Sequence, residues 1–155
     1  MNLIEDKKSI NKKLILILIS ILFLFSFCTL LFIQNHSLIA HDESLYGARA
    51  KLILDTKNWF TPFETAHKKT IGSYWLIAIS LKLFGINEFA ARLPSYVFSL
   101  LSIFTLFNIL KLLSNLEIAI ISIFTLSSSY LWFSYSNYCS PDTLYIFLNL
   151  LGILN

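Results

Sequence analysis

Leu14 to Ile33 is a run of 20 residues without a single charge. At ~1.5 Å per residue a helix of this length reaches ~30 Å, the thickness of a bilayer's hydrocarbon core. Such a run leaves the chain few folds. Only helices and closed barrels satisfy every backbone group in lipid, and a barrel strand needs only about 10 residues of alternating pattern. A cleaved signal peptide would have an apolar stretch of about 7–15 residues ending in a small-x-small site, which Leu38-Ile39-Ala40 fits poorly. The run therefore reads as a retained signal-anchor helix. Lys7, Lys8, Lys12 and Lys13 precede it and set residues 1–13 in the cytoplasm.

The remaining composition agrees. Of 155 residues, 56% are hydrophobic and 14% charged, against about 25% charged in soluble domains. The net charge of +3 is small and scattered, which speaks against nucleic acid as a partner. Cys28 and Cys139 lie in or beside apolar runs without metal-ligand spacing and read as small buried hydrophobes.

Residues 34–92 form a long outer loop that contains helices. Asp42 to Asp55 has helical character, and Pro62 biases Thr61 away from the helical region. Gly72 to Phe84 has helical spacing but is too short to span, and its leading Tyr74 and Trp75 suit a juxtamembrane helix in the interface plane. Residues 94–113 form the second span, with Pro94 in its first turn. Residues 116–133 form the third span, 134–141 a short outer loop, and 142–155 a fourth apolar run, about 14 residues and too short to cross. The expected fold is an all-α membrane protein, a multi-span helical bundle. Counting spans from a cytoplasmic N-terminus puts Asp42-Glu43 and Asp142 on the same outer face.

His41-Asp42-Glu43-Ser44-Leu45-Tyr46-Gly47-Ala48-Arg49 carries the chemistry. Desolvating a carboxylate costs several kcal/mol unless it is paired, so two adjacent acids at the mouth of a span need a reason. On a helix Asp42, Tyr46 and Arg49 share one face. The spacing leaves a second reading open, a solvated helix whose acids sit near its N-terminus for dipole reasons. His67-Lys68-Lys69 is a basic patch that would also suit anionic headgroups. His36, His41 and His67 match no zinc spacing.

The ordered set Asp42-Glu43-Ser44-Leu45-Tyr46, Asn58-Trp59-Phe60-Thr61-Pro62, Lys69 before Trp75, and Leu83-Phe84-Gly85 through Arg92-Leu93-Pro94-Ser95 resembles the N-terminal part of the polyprenyl-phosphate-sugar-dependent membrane glycosyltransferases. That family includes lipid A aminoarabinose transferases and protein O-mannosyltransferases. The resemblance implies a C-type glycosyltransferase fold and inverting transfer from a polyprenyl-phosphate sugar donor. The acceptor would be a lipid, polysaccharide or protein on the outer face of a bacterial inner membrane. It implies Asp42 as the catalytic carboxylate, Asp142 as a second acid near the site and Lys69 as a donor-phosphate ligand; Glu43 beside Asp42 would be a further supporting acid, and on chemical grounds Arg49 or Lys68 could add positive charge for the departing phosphate. Tyr46 would line the site. No cofactor follows; a divalent metal stays open, with no ligands readable. The chain departs from the family pattern at Leu45, where Arg is frequent, at Thr70, where Pro is usual, and at Lys68, where an acid is frequent. Membrane lipids and a missing C-terminal part are the further partners implied, and the chain alone is expected to be inactive. The competing expectation is a small non-enzymatic membrane protein, or an inactive fragment, acting as an assembly partner.

Overall fold

The computed structural model describes residues 2–33, 37–39, 42–60, 63 and 71–154, with side chains described from Lys12 onward. The order is α1 (Asn2–Phe32), α2 (Asp42–Thr56), α3 (Gly72–Phe84), α4 (Glu88–Leu113), α5 (Leu116–Ser128), α6 (Tyr130–Ser136) and α7 (Asp142–Leu154). No strand occurs among the described residues. Among the described residues two helical stretches are long and apolar enough to cross a membrane, Lys12–Phe32 and Glu88–Leu113, and the bent pair α5–α6 makes a third if it is one span. The chain is an all-α membrane protein.

The central helix is α4. It packs against α3, α5, α6 and α7, while α1 packs on α5 and α2 on α3. Its start is set by Asn87, whose side chain accepts the Ala90 N–H at 2.8 Å, and by Glu88 in the first turn. An Asn cap followed by an acid satisfies an orphan donor and complements the dipole. Gly85, at φ 86°, turns the chain out of α3 in a conformation that L side chains rarely adopt. Because the cap lies at Asn87, Pro94 is inside the helix and not in its first turn, which corrects the sequence reading. Pro94 can donate no N–H to the Ala90 carbonyl one turn back. The more consequential effect is that Arg92 belongs to α4 and not to the loop.

The third apolar run is not one straight helix. α5 and α6 meet at a 68° bend around Ser129, which is extended at φ −69°, ψ 126°. Three consecutive serines, Ser127 to Ser129, stand at the break. The Ser128 hydroxyl donates to the Thr125 carbonyl at 3.1 Å, and the Ser129 N–H reaches back only to Leu126. Serine hydroxyls compete with the helical ladder in this way.

Two apolar clusters hold the helices. Phe25, Ile103, Ile123 and Trp132 join α1, α4, α5 and α6. Tyr46, Ala50, Ile53, Tyr74, Ile77, Leu81 and Cys139 join α2 and α3 to the loop before α7. Gly47 admits the second cluster's neighbour Leu38, whose Cδ1 would lie 2.9 Å from a Cβ at this position. Both cysteines are free, and Cys139 is buried.

Candidate active site

The first turn of α2 carries two acids that face different ways. The buried face of α2 is Glu43, Tyr46, Gly47, Ala50 and Ile53, a helical stripe, and Asp42 lies off it and is exposed. Asp42 lines a polar cavity of about 320 Å³ together with Tyr46, Ser134, Tyr135, Tyr138, Ser140 and Asp142. The two aspartates that span counting puts on one face thus meet in one cavity. They are brought there by the starts of α2 and α7 and by the end of α6.

Glu43 is fully buried. Its Oε1 accepts from Arg92 Nε at 2.6 Å and from the Cys139 N–H at 2.9 Å. Its Oε2 accepts from Arg92 Nη2 at 3.0 Å and from the Ile39 N–H at 2.8 Å. The same guanidinium donates to the Ile33 carbonyl at 2.9 Å and to the Ser37 carbonyl at 3.1 Å. Burial works to raise the Glu43 pKa. The hydrogen bonds from Arg92 and from the Ile39 and Cys139 N–H groups, and then the Arg92 charge, outweigh it and hold the carboxyl below its ordinary range. Glu43 is not among the residues that line the cavity, and both of its carboxylate oxygens are engaged in these hydrogen bonds.

Burial, followed by the negative charges of Glu43 and Asp42, raises the Tyr138 phenol, so it stays a neutral hydroxyl donor beside the carboxylates. Ser95 Oγ donates to the Ser140 carbonyl at 3.0 Å and fastens the same loop to α4. A second, apolar groove of about 430 Å³ adjoins the cavity and shares Tyr135 and Asp142 with it, with Leu126, Trp132, Tyr145 and Ile146 among its walls.

Arg49 does not line this cavity. It donates to the Tyr74 hydroxyl at 3.4 Å and lies 5.0 Å over the Phe63 ring. Lys68, Lys69 and the three histidines lie outside the described residues. Among the described residues no group of three or more His, Cys, Asp or Glu could hold a metal ion. Sequence reasoning missed Arg92 and the phenols Tyr135 and Tyr138. The signal for Arg92 was present, a lone cation between Ala90-Ala91 and Leu93 in an apolar helix start, and so was the aromatic run Tyr130 to Tyr138.

Residues 68–154, more than half of the chain, match the profile of the family described as dolichyl-phosphate-mannose-protein mannosyltransferase. The chain belongs to this family. The family match takes in α3 to α7 and the cavity's Asp142 side, and stops short of Asp42. Among curated relatives, an uncharacterised protein of Aquifex aeolicus (strain VF5) is 29% identical over 149 residues, 92% of this chain and 28% of that protein. The undecaprenyl phosphate-alpha-4-amino-4-deoxy-L-arabinose arabinosyl transferase 1 of Pseudomonas fluorescens (strain Pf0-1) is 32% identical over 56% of this chain and 16% of its own length. The corresponding transferase 2 of Proteus mirabilis (strain HI4320) is 29% identical over 79% of this chain and 23% of its own. The chain thus spans between 16% and 28% of the length of these three relatives. No solved structure matches.

Proposed function

We propose that the chain forms part of an inverting membrane glycosyltransferase that moves a sugar from a polyprenyl-phosphate donor to an acceptor hydroxyl on the outer face of the membrane. The observation that carries this reading is the shared cavity of Asp42 and Asp142, lined by phenols and serine hydroxyls. The relatives named as undecaprenyl-phosphate arabinosyl transferases support the donor class.

Asp42 acts as general base. It takes the proton of the acceptor hydroxyl as that oxygen bonds the anomeric carbon. The bond from that carbon to the phosphate oxygen breaks, and the electron pair leaves with the polyprenyl phosphate. Asp142 and the phenols of Tyr46 and Tyr138 orient sugar hydroxyls, and the adjoining apolar groove suits the first units of the lipid chain. Cations stabilise the departing phosphate, and Lys69, with Lys68, is the expected source. Arg49, engaged with Tyr74 and Phe63, is the less favoured.

The test supplies native membranes containing the protein with a radiolabelled undecaprenyl-phosphate sugar and follows both donor binding and label transfer. Asp42→Asn is expected to bind donor and to transfer about 10²–10⁴-fold more slowly, the usual loss for a general base. Lys69→Ala is expected to lose donor binding. Undiminished transfer by Asp42→Asn would overturn the assignment of the base.

A further inference from the structure

We propose that Glu43 and Arg92 are positioning residues whose buried pair decides which of two adjacent acids faces the cavity and how Asp42 stands to Asp142. This rests on the reading of the Asp42–Asp142 cavity as the functional site.

Asp42 and Glu43 are neighbours on one helix, and a helix turns about 100° per residue. A rotation of α2 by one residue would either carry Glu43 to the cavity and Asp42 past it, or bring Asp42 to Arg92 and turn Glu43 away; neither leaves an acid in both places. What opposes that rotation is the full use of the Glu43 carboxylate. Both oxygens are engaged, with Arg92 Nε at 2.6 Å and Cys139 N at 2.9 Å on one, Arg92 Nη2 at 3.0 Å and Ile39 N at 2.8 Å on the other. An aspartate in the same place is one methylene short of these donors.

The pair also ties down the far side of the cavity. Cys139 donates to Glu43 and stands three residues before Asp142, which begins α7. Arg92 meanwhile binds the Ile33 and Ser37 carbonyls, at the end of α1 and ahead of α2. One ion pair therefore joins α1, the approach to α2, α2 itself, α4 and the loop into α7. Charge neutralisation alone needs one partner each. Links to backbone groups at residues 33, 37, 39 and 139 are what a device for registering those stretches requires.

The experiment reads geometry and needs no transfer activity, so its failure is distinct from failure of the proposed function. The chain is reconstituted in lipid vesicles in a Cys28→Ser, Cys139→Ala background, which keeps the backbone donor at 139. Nitroxide labels are placed at Ala48 on α2 and Leu148 on α7, both exposed. Pulsed electron resonance is expected to give one narrow distance distribution for the parent. Glu43→Gln, which puts an amide donor against donors, is expected to broaden it in the folded fraction. Arg92→Lys keeps the charge but cannot span Glu43, Ile33 and Ser37 together, and it gives the same reading should Glu43→Gln not fold. Ser99→Ala, which removes only an intrahelical bond to the Tyr96 carbonyl, is expected to leave the distribution narrow. Narrow, unshifted distributions in Glu43→Gln or Arg92→Lys, with thermal stability lowered, would overturn the proposal and leave the pair a stabiliser only.

Discussion

Asp42, in the first turn of α2, and Asp142, in the first turn of α7, line one cavity. Each carboxylate stands where a helix macrodipole favours negative charge. Two helix starts thus converge on one polar space, and the dipole explanation for each acid alone does not account for their meeting. In the proposed reaction they divide the labour, with Asp42 moving the proton and Asp142 holding the sugar.

Asp142→Asn is accordingly expected to weaken donor binding more than the maximal rate, whereas Asp42→Asn does the reverse. Steady-state kinetics in membranes would separate the two, since loss of an interaction made only in the transition state lowers the rate constant without raising KM. Equal effects of both variants on KM alone would contradict the division.

Removing one member of a buried ion pair leaves the other charged and unpaired, at a cost of about 3–5 kcal/mol. Glu43→Ala should lose stability of that order, measured by thermal unfolding in detergent. A loss under about 1 kcal/mol would mean that Arg92 escapes to solvent.

The same pair predicts an acid sensitivity. The Glu43 pKa is lower in the folded protein than in the unfolded chain. Its contribution is therefore complete above the ordinary glutamate value of about 4.3 and disappears as pH falls through the lower folded value. Wild type should lose stability over that acidic window more steeply than Glu43→Gln. Parallel curves would sink this prediction.

Cys139 offers a chemical readout. Burial, and next the Glu43 carboxylate, push its thiol up to about 12 against the opposing pull of Arg92. The thiolate is the nucleophile, so maleimide at pH 7.5 should leave Cys139 unmodified in the folded protein and modify it in Glu43→Ala. Rapid labelling of wild type at this position would show the loop to be open.

The bend at Ser129 sets propensity against packing. A Ser→Ala change gains about 0.5 kcal/mol of helix propensity, while Trp132, buried against Phe25, Ile103 and Ile123, would lose about 3–5 kcal/mol on truncation to alanine. Ser129→Ala should therefore keep the bend and Trp132→Ala should relax it, as read by label distances between Ile118 and Tyr135. A straight α5–α6 in Ser129→Ala would assign the bend to the serines.

The membrane character was legible because a charge-free run such as Leu14–Ile33 is interpretable from composition alone. Span parity leads only to the expectation that Asp42 and Asp142 share a face; that they line one cavity depends on how α2, α6 and α7 pack and was not legible. The separate fates of Asp42 and Glu43 were not legible either. Adjacent residues differ only in helix phase, and that phase is set by Arg92, 49 positions away. The early start of α4 was obscured because Pro94 reads as a first-turn residue until the Asn87 cap is seen. The break at Ser129 was hidden inside an apolar run, where hydropathy is blind to direction.

The Glu43 carboxylate draws its donors from residues 39, 92 and 139. A ribosome delivers them in that order. Until Cys139 has left the translation machinery, Oε1 lacks its backbone donor, and until Arg92 has entered the bilayer's edge the acid has no counter-ion at all. The start of α2 can therefore take its final form only after residue 139 has been made, and its protection from proteolysis should arise no earlier than that.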